Sequence, residues 1–243
     1  MIHKNVETFN AHIICTWITL FMFFFSSDWV SAQNLLIKSA FQSKLVIDGD
    51  PSDWNVSDSI LLKDKRGLSD NLVWIKSAWD YQNLYLFFSV IDKDLRALQT
   101  QLDHPLLSED DMIEFLFDTE NQKSESWLPD DICYHINILG QKKDDRGHSS
   151  GDYRKHMKDW NGKAKYELKI MGTVNNYLDN DIGYNAEVAV PWNEIGMEPR
   201  INNLLGLNLA CGDNDGKGKV VFNWSNSWPM RKPDSFGTLV LIE

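Results

Sequence analysis

Positive charge is in short supply in this 243-residue chain. Lys and Arg total 24 against 35 Asp and Glu, a formal net charge of −11. Such a chain repels phosphate backbones, which argues against non-specific nucleic-acid binding and against docking on anionic membranes. Cysteine is equally sparse, with three in all and none in a CxxC knuckle or redox pair. Cys133 and Cys211 are compatible with one disulfide or with two buried thiols. No GxSxG, HExxH or Walker loop occurs. There is no internal repeat, no linker rich in Pro, Gly or Ser, and no long segment with a 3.6-residue apolar period.

What is present is aromatic and strand-like. Ten tryptophans stand out in a composition otherwise close to globular averages, with 43% hydrophobic and 24% charged residues. Lys4, the apolar run Ile13–Phe25 and the small residues Val30-Ser31-Ala32 read as a secretory leader over residues 1–32, cleaved after Ala32. Ser26, Ser27 and Asp28 interrupt the run before it reaches the roughly 20 apolar residues of a membrane span. The expected location is therefore secreted, periplasmic or cell-surface, with no membrane insertion once the leader is removed.

Residues 33–243 read as a single domain. Leu72–Trp79, Leu84–Ile91, Met112–Phe117, Ile132–Ile138, Tyr166–Ile170, Tyr184–Val190, Leu205–Ala210, Val220–Trp224 and Phe236–Ile242 are short β-branched, aromatic or alternating runs, separated by Asp, Asn, Gly and Pro clusters. About ten strands without interleaved helices predict an all-β fold, an antiparallel two-sheet β-sandwich of jelly-roll or immunoglobulin-like kind. Pro191–Ile195 is the one short helical turn expected. The polar stretch 141–162 reads as a long surface loop.

Six segments in order resemble family 9 carbohydrate-binding modules. They are Ile47-Asp48-Gly49 with Trp54, Trp79-Asp80 with Leu84-Tyr85, Asp111-Met112-Ile113-Glu114, Glu187 with Pro191-Trp192, Gly206-Leu207-Asn208 with Asp213, and Pro233 with Phe236-Gly237. The resemblance implies a β-sandwich and a sugar-binding function. Sugar recognition needs an aromatic ring for the C–H face of a pyranose and carboxylates, amides or cations for its hydroxyls. By position in the family pattern, Trp228 matches one of two clamping tryptophans, while Leu106-Leu107-Ser108 stands where the second would be. Glu114 and Asp213 match ligand-binding carboxylates, His135 replaces an arginine, and Asn226 could add an amide. From the residues alone, Glu114 also reads as an ordinary strand residue and Asp213 as a turn former. Trp54, Trp79 and Trp192 are expected in packing; Trp127 and Trp160, in polar loops, could extend a binding surface.

The same resemblance implies oligo- or polysaccharide as partner, association with a glycoside hydrolase, and a non-catalytic role in polysaccharide breakdown. Asp110, Asp111 and Glu114 are too close in sequence to show a hydrolytic carboxylate pair. Structural calcium is also implied, with Asp48, Asp50 and Asp53 or Asp213, Asn214 and Asp215 as candidate donors. An EF-hand is excluded, because Trp224 occupies the position of its bidentate glutamate. Two alternatives remain open at this point. One is a haem-binding sandwich using Met112, His135, His148, His156 or Met157, although no CxxCH is present. The other is an exported scaffold that has lost its ligand.

Overall fold

The structure, a computed structural model, describes residues 35–43, 45–150, 152 and 155–243. The leader expected over residues 1–32, including Cys15, lies outside the described residues. Thirteen strands follow in order: β1 (Leu36–Phe41), β2 (Ile60–Lys63), β3 (Leu72–Trp79), β4 (Asn83–Ile91), β5 (Met112–Asp118), β6 (Ile132–Asn137), β7 (Lys142–Gly147), β8 (His156–Met157), β9 (Lys165–Met171), β10 (Gly183–Pro191), β11 (Leu204–Asp213), β12 (Val220–Asn223) and β13 (Gly237–Ile242). The expected helical turn is α1 (Trp192–Ile195), ended by Gly196 in the left-handed conformation. Among the described residues no helix is long and apolar enough to cross a membrane.

All thirteen strands belong to one hydrogen-bonded sheet. Its path runs β8-β7-β6-β5-β11-β13-β1-β3-β4-β10-β9, with β12 attached to β11 and β2 to β3. The expectation of an antiparallel two-sheet sandwich of about ten strands is corrected here on three counts. Strand β1 pairs in parallel with both β13 and β3, so the sheet is mixed. That same strand joins two arms that would otherwise be separate sheets. The strands number thirteen because β1, β2, β7 and β8 join the nine runs expected from the sequence. β1 buries Ile37 and Ser39, the latter hydrogen-bonded to Ser77 Oγ at 2.9 Å, and only Leu62 of β2 is buried.

The stretch 141–162 contains β7 and β8 and is not a simple loop. Its first strand, Lys-Lys-Asp-Asp-Arg-Gly, has no apolar residue, yet Asp144 and Asp145 are buried. Lys142 Nζ lies 2.5 Å from Asp144 Oδ2, and Arg231 forks onto Asp145. Paired charges can be buried where single ones cannot.

The two arms curl over a shared core. Phe88 of β4 meets Phe115 of β5 with ring centroids 6.4 Å apart, and Phe115 stacks on Tyr134 of β6 at 5.0 Å. Strand alternation then decides which residues are left for the opposite face. Ile113, Phe115 and Phe117 of β5 face the core, as do Ile132, Tyr134 and Ile136 of β6 and Leu207, Leu209 and Cys211 of β11. Met112, Glu114, Cys133, His135 and Ala210 therefore lie on the other face. Cys133 and Cys211 sit on opposite faces, and both are free thiols.

Three of the six segments of the sequence pattern hold turns together. Glu187 accepts hydrogen bonds from the N–H groups of Asp48 and Gly49 at 2.7 Å each and from Trp54 Nε1. Gly49 has φ +78°, and a Cβ there would stand 2.8 Å from Lys169 Cβ, so glycine is required. Asp80 closes the β3–β4 turn by accepting from Gln82 and Asn83 N–H and from the Tyr85 hydroxyl. Trp54, Trp79 and Trp192 are buried, as packing residues should be.

Candidate functional site

A groove of about 570 Å³ lies on the face opposite the shared core. Its floor comes from β5 and β6 through Met112, Glu114 and His135. One side is formed by the segment after β12, which contributes Trp228, Met230 and Arg231, and the other by Arg66, Leu68 and Ser108. Trp228 is 56% exposed. Its loop is fixed from below, since Asn223 accepts from Ser225 Oγ at 2.8 Å and donates through Nδ2 to the Ser227 carbonyl at 3.1 Å. The Trp228–Pro229 peptide bond is cis.

Arg231 is held by two hydrogen bonds to Asp145, one of them Nη2 to Oδ2 at 2.5 Å. Its guanidinium also lies over the Trp127 ring, 5.5 Å from the centroid. Trp127 is fully buried against Phe236, Leu116 and Cys133, so it supports the groove from behind and does not extend an exposed surface. Trp160 packs edge-on against Tyr134.

The floor is dry. Glu114 is 1% exposed and His135 7%. Burial pushes the Glu114 carboxyl up to about 7, with Arg231 opposing the shift. Burial and the charges of Arg231, Lys143 and Lys219 hold His135 well below its ordinary value, and burial raises the Cys133 thiol. At neutral pH the imidazole and thiol are uncharged.

The sequence brought forward five site residues, and three of them meet here: Trp228, Glu114 and His135. Asp213 does not line the groove. It continues the core-facing series Leu207, Leu209, Cys211 on β11, so alternation turns it away from Met112 and Glu114. Asn226 is exposed outside the lining, at φ +53°, where it forms the turn before Trp228. At the missing second tryptophan, Leu107 is buried and Ser108 reaches the groove. Arg231, Lys219, Met230 and Leu68 were not singled out from the sequence. Of the haem-ligand candidates Met112 and His135 reach the groove, but His135 Nε2 lies 3.4 Å from Cys133 Sγ and Nδ1 3.5 Å from Glu114 Oε2. Both ring nitrogens thus face wall groups and not the open groove.

Asp213 instead joins Asp92 and Asp215, with donor oxygens within 4.8 Å of one another, beside a second cavity. Burial raises Asp92 to about 6 and Asp213 to about 7, and burial with the nearby Asp92 raises Asp111 to about 9. Asp213 Oδ1 is buried without a hydrogen-bond partner. Clustered oxygen donors of this kind fit the structural calcium that the sequence pattern implied. Asp48, Asp50 and Asp53 do not converge: they accept from backbone N–H groups of Asp50, Ser52 and Val46, and Asp50 pairs with Lys169. Asn214 is likewise engaged, its amide donating to the Glu109 carbonyl. A further trio, Asp118, Asp130 and Asp131, accepts from the N–H groups of Gln122, Lys123, Glu120 and Leu128 and so ties the loop between β5 and β6.

Comparison with known proteins matches residues 57–243 to the family described as carbohydrate family 9 binding domain-like. Endo-1,4-beta-xylanase A of Thermotoga neapolitana is 27% identical over 221 residues, which is 87% of this chain and 18% of that enzyme. Exoglucanase XynX of Acetivibrio thermocellus is 28% identical over 171 residues, 69% of this chain and 12% of that one. The chain therefore spans less than a fifth of these relatives. Among solved structures, a family 9 carbohydrate-binding module from Caldicellulosiruptor kristjanssonii in complex with cellotriose superposes with a TM-score of 0.67 at 20% identity, covering 85% of this chain and 93% of that one. The same module in complex with glucose gives 0.66. These likenesses establish a shared fold.

Proposed function

Given that the chain belongs to the carbohydrate family 9 binding domain-like family, we propose that the groove under Trp228 binds a glucan- or xylan-type oligo- or polysaccharide without catalysing its hydrolysis. The observation that carries this reading is a half-exposed indole held over a groove that also presents Arg231, Lys219 and Glu114. A pyranose needs that combination, a flat apolar surface for its C–H face and charged partners for its hydroxyls. Trp228 stacks on the sugar. Arg231 and Lys219 donate to hydroxyl oxygens, while Glu114 meets the part of the sugar that reaches the floor.

Asp213 serves the carboxylate cluster, where calcium would be held by Asp92, Asp213 and Asp215, and Asn226 serves the loop. The relatives are polysaccharide-degrading enzymes of which this chain matches only a small part. That match supports a targeting role outside the cell, in support of a glycoside hydrolase. Calorimetric titration with glucose, cellotriose and xylotriose tests the reading. Aromatic–ligand stacking is worth about 1–3 kcal/mol, so Trp228→Ala should weaken binding by roughly 5- to 150-fold with little change in melting temperature. Flat titrations of the wild-type protein with all three sugars would overturn it.

A further inference from the structure

Beneath the groove, three side chains of different chemistry converge. Glu114 of β5 is the register partner of His135 of β6, and Cys133, two residues before His135, shares its face of the strand. Cys133 Sγ lies 3.3 Å from Glu114 Oε1 and 3.4 Å from His135 Nε2. One donor atom from each of the three residues lies within 4.8 Å of the others. All three residues are buried, and on the side away from Cys133 the Glu114 Oε2 and His135 Nδ1 atoms stand 3.5 Å apart without a hydrogen bond to any group. Buried polar atoms without a partner are rare and call for one.

The spacing is informative. Zinc binds cysteine sulfur at about 2.3 Å and histidine nitrogen at about 2.0–2.1 Å, so two such ligands at a tetrahedral angle stand about 3.5 Å apart. The sulfur–nitrogen and sulfur–oxygen distances here are close to that edge length. We propose that Glu114, Cys133 and His135 form a three-ligand zinc site beneath the groove floor. A thiolate, an imidazole and a carboxylate favour a borderline-soft ion, whereas calcium takes oxygen ligands only. The site is separate from the carboxylate cluster at Asp213, and it does not rest on the sugar reading.

Full-length protein, stripped with a chelator and titrated with Zn²⁺ and then Co²⁺, provides the test. One equivalent of Zn²⁺ should bind at this site. Co²⁺ should give a near-ultraviolet sulfur-to-cobalt charge-transfer band that Zn²⁺ abolishes and excess Ca²⁺ leaves unchanged. Cys133→Ser should remove the band, and His135→Gln should weaken Zn²⁺ binding by at least the roughly 10–100-fold that follows loss of an outer partner alone. Cys211→Ala is the control that should keep the band. No band in the wild-type protein, or a band that survives Cys133→Ser, would overturn the proposal. The wild-type titration decides the matter even where a variant fails to fold, and it is independent of any sugar measurement.

Discussion

Replacing Arg231 with alanine should damage this protein more than its place in a loop suggests. The Arg231 side chain is 16% exposed and that of its partner Asp145 only 1%, so solvent screens the pair weakly. Removing the guanidinium leaves the Asp145 carboxylate buried without a counter-charge, a loss of about 3–5 kcal/mol. It also uncovers the face of Trp127, on which Arg231 rests. For a domain of this size each kcal/mol lowers the melting temperature by roughly 2–4 °C, so Arg231→Ala should melt roughly 6–20 °C below the wild type. The double variant Arg231→Met, Asp145→Leu removes both charges and should recover most of that loss, while still lacking the groove's forked donor. Differential scanning calorimetry with parallel urea unfolding measures the effect. A loss under about 1 kcal/mol for Arg231→Ala would be the behaviour of an exposed ion pair, and the reading of Arg231 as a buried wall of the groove would be refuted.

Trp54→Ala should cost about 3–5 kcal/mol whatever ligand is present, because it empties a buried site and deprives Glu187 of a donor; an unchanged urea midpoint would contradict this. Burial raises Asp131 from 3.8 to about 8. The stability this carboxyl contributes is therefore full below about pH 4 and is lost as pH rises through about 8. Asp131→Asn, which can still accept from Leu128 N–H, should flatten that decline and melt above the wild type at alkaline pH, as thermal scans across the range will show. If Asp92, Asp213 and Asp215 hold calcium, saturating it at 100 times its dissociation constant should stabilise the fold by about 2.7 kcal/mol. EDTA should then lower the melting temperature and Asp213→Asn should abolish the difference; identical melting with calcium and with EDTA would exclude the site.

Strands that bury apolar side chains were readable, because β3, β4 and β10 announce themselves through β-branched and aromatic runs. β7 was not, since nothing local distinguishes Lys-Lys-Asp-Asp-Arg-Gly from a solvated loop, and its partner Arg231 is 86 residues away. Trp228, Glu114 and His135 were reached through their place in a family pattern. Arg231 and Cys133 were not, because what makes each of them a groove residue is a neighbour across the sheet. Asp213 carried a usable signal: counting every second residue from Leu207 through Leu209 and Cys211 places it on the core side. Trp127 sat among polar residues, and only the tertiary contact with Phe236 shows that it is buried.

The bridging strand β1 has a consequence for how the chain acquires its shape. Its partners on one side are the residues of β13, with Leu36 opposite Thr238 and Ala40 opposite Ile242. A chain made from its N-terminus therefore produces one half of this parallel ladder well before the other. Contacts so distant in sequence carry a large loop-closure cost and slow the folding of β-rich domains. Until β13 is available, β1 has an open hydrogen-bonding edge, which is a template for pairing with another chain. Deleting β13 should thus do more than remove one strand. It should leave the β3–β4–β10 arm with an uncovered edge and convert a folding problem into an aggregation problem.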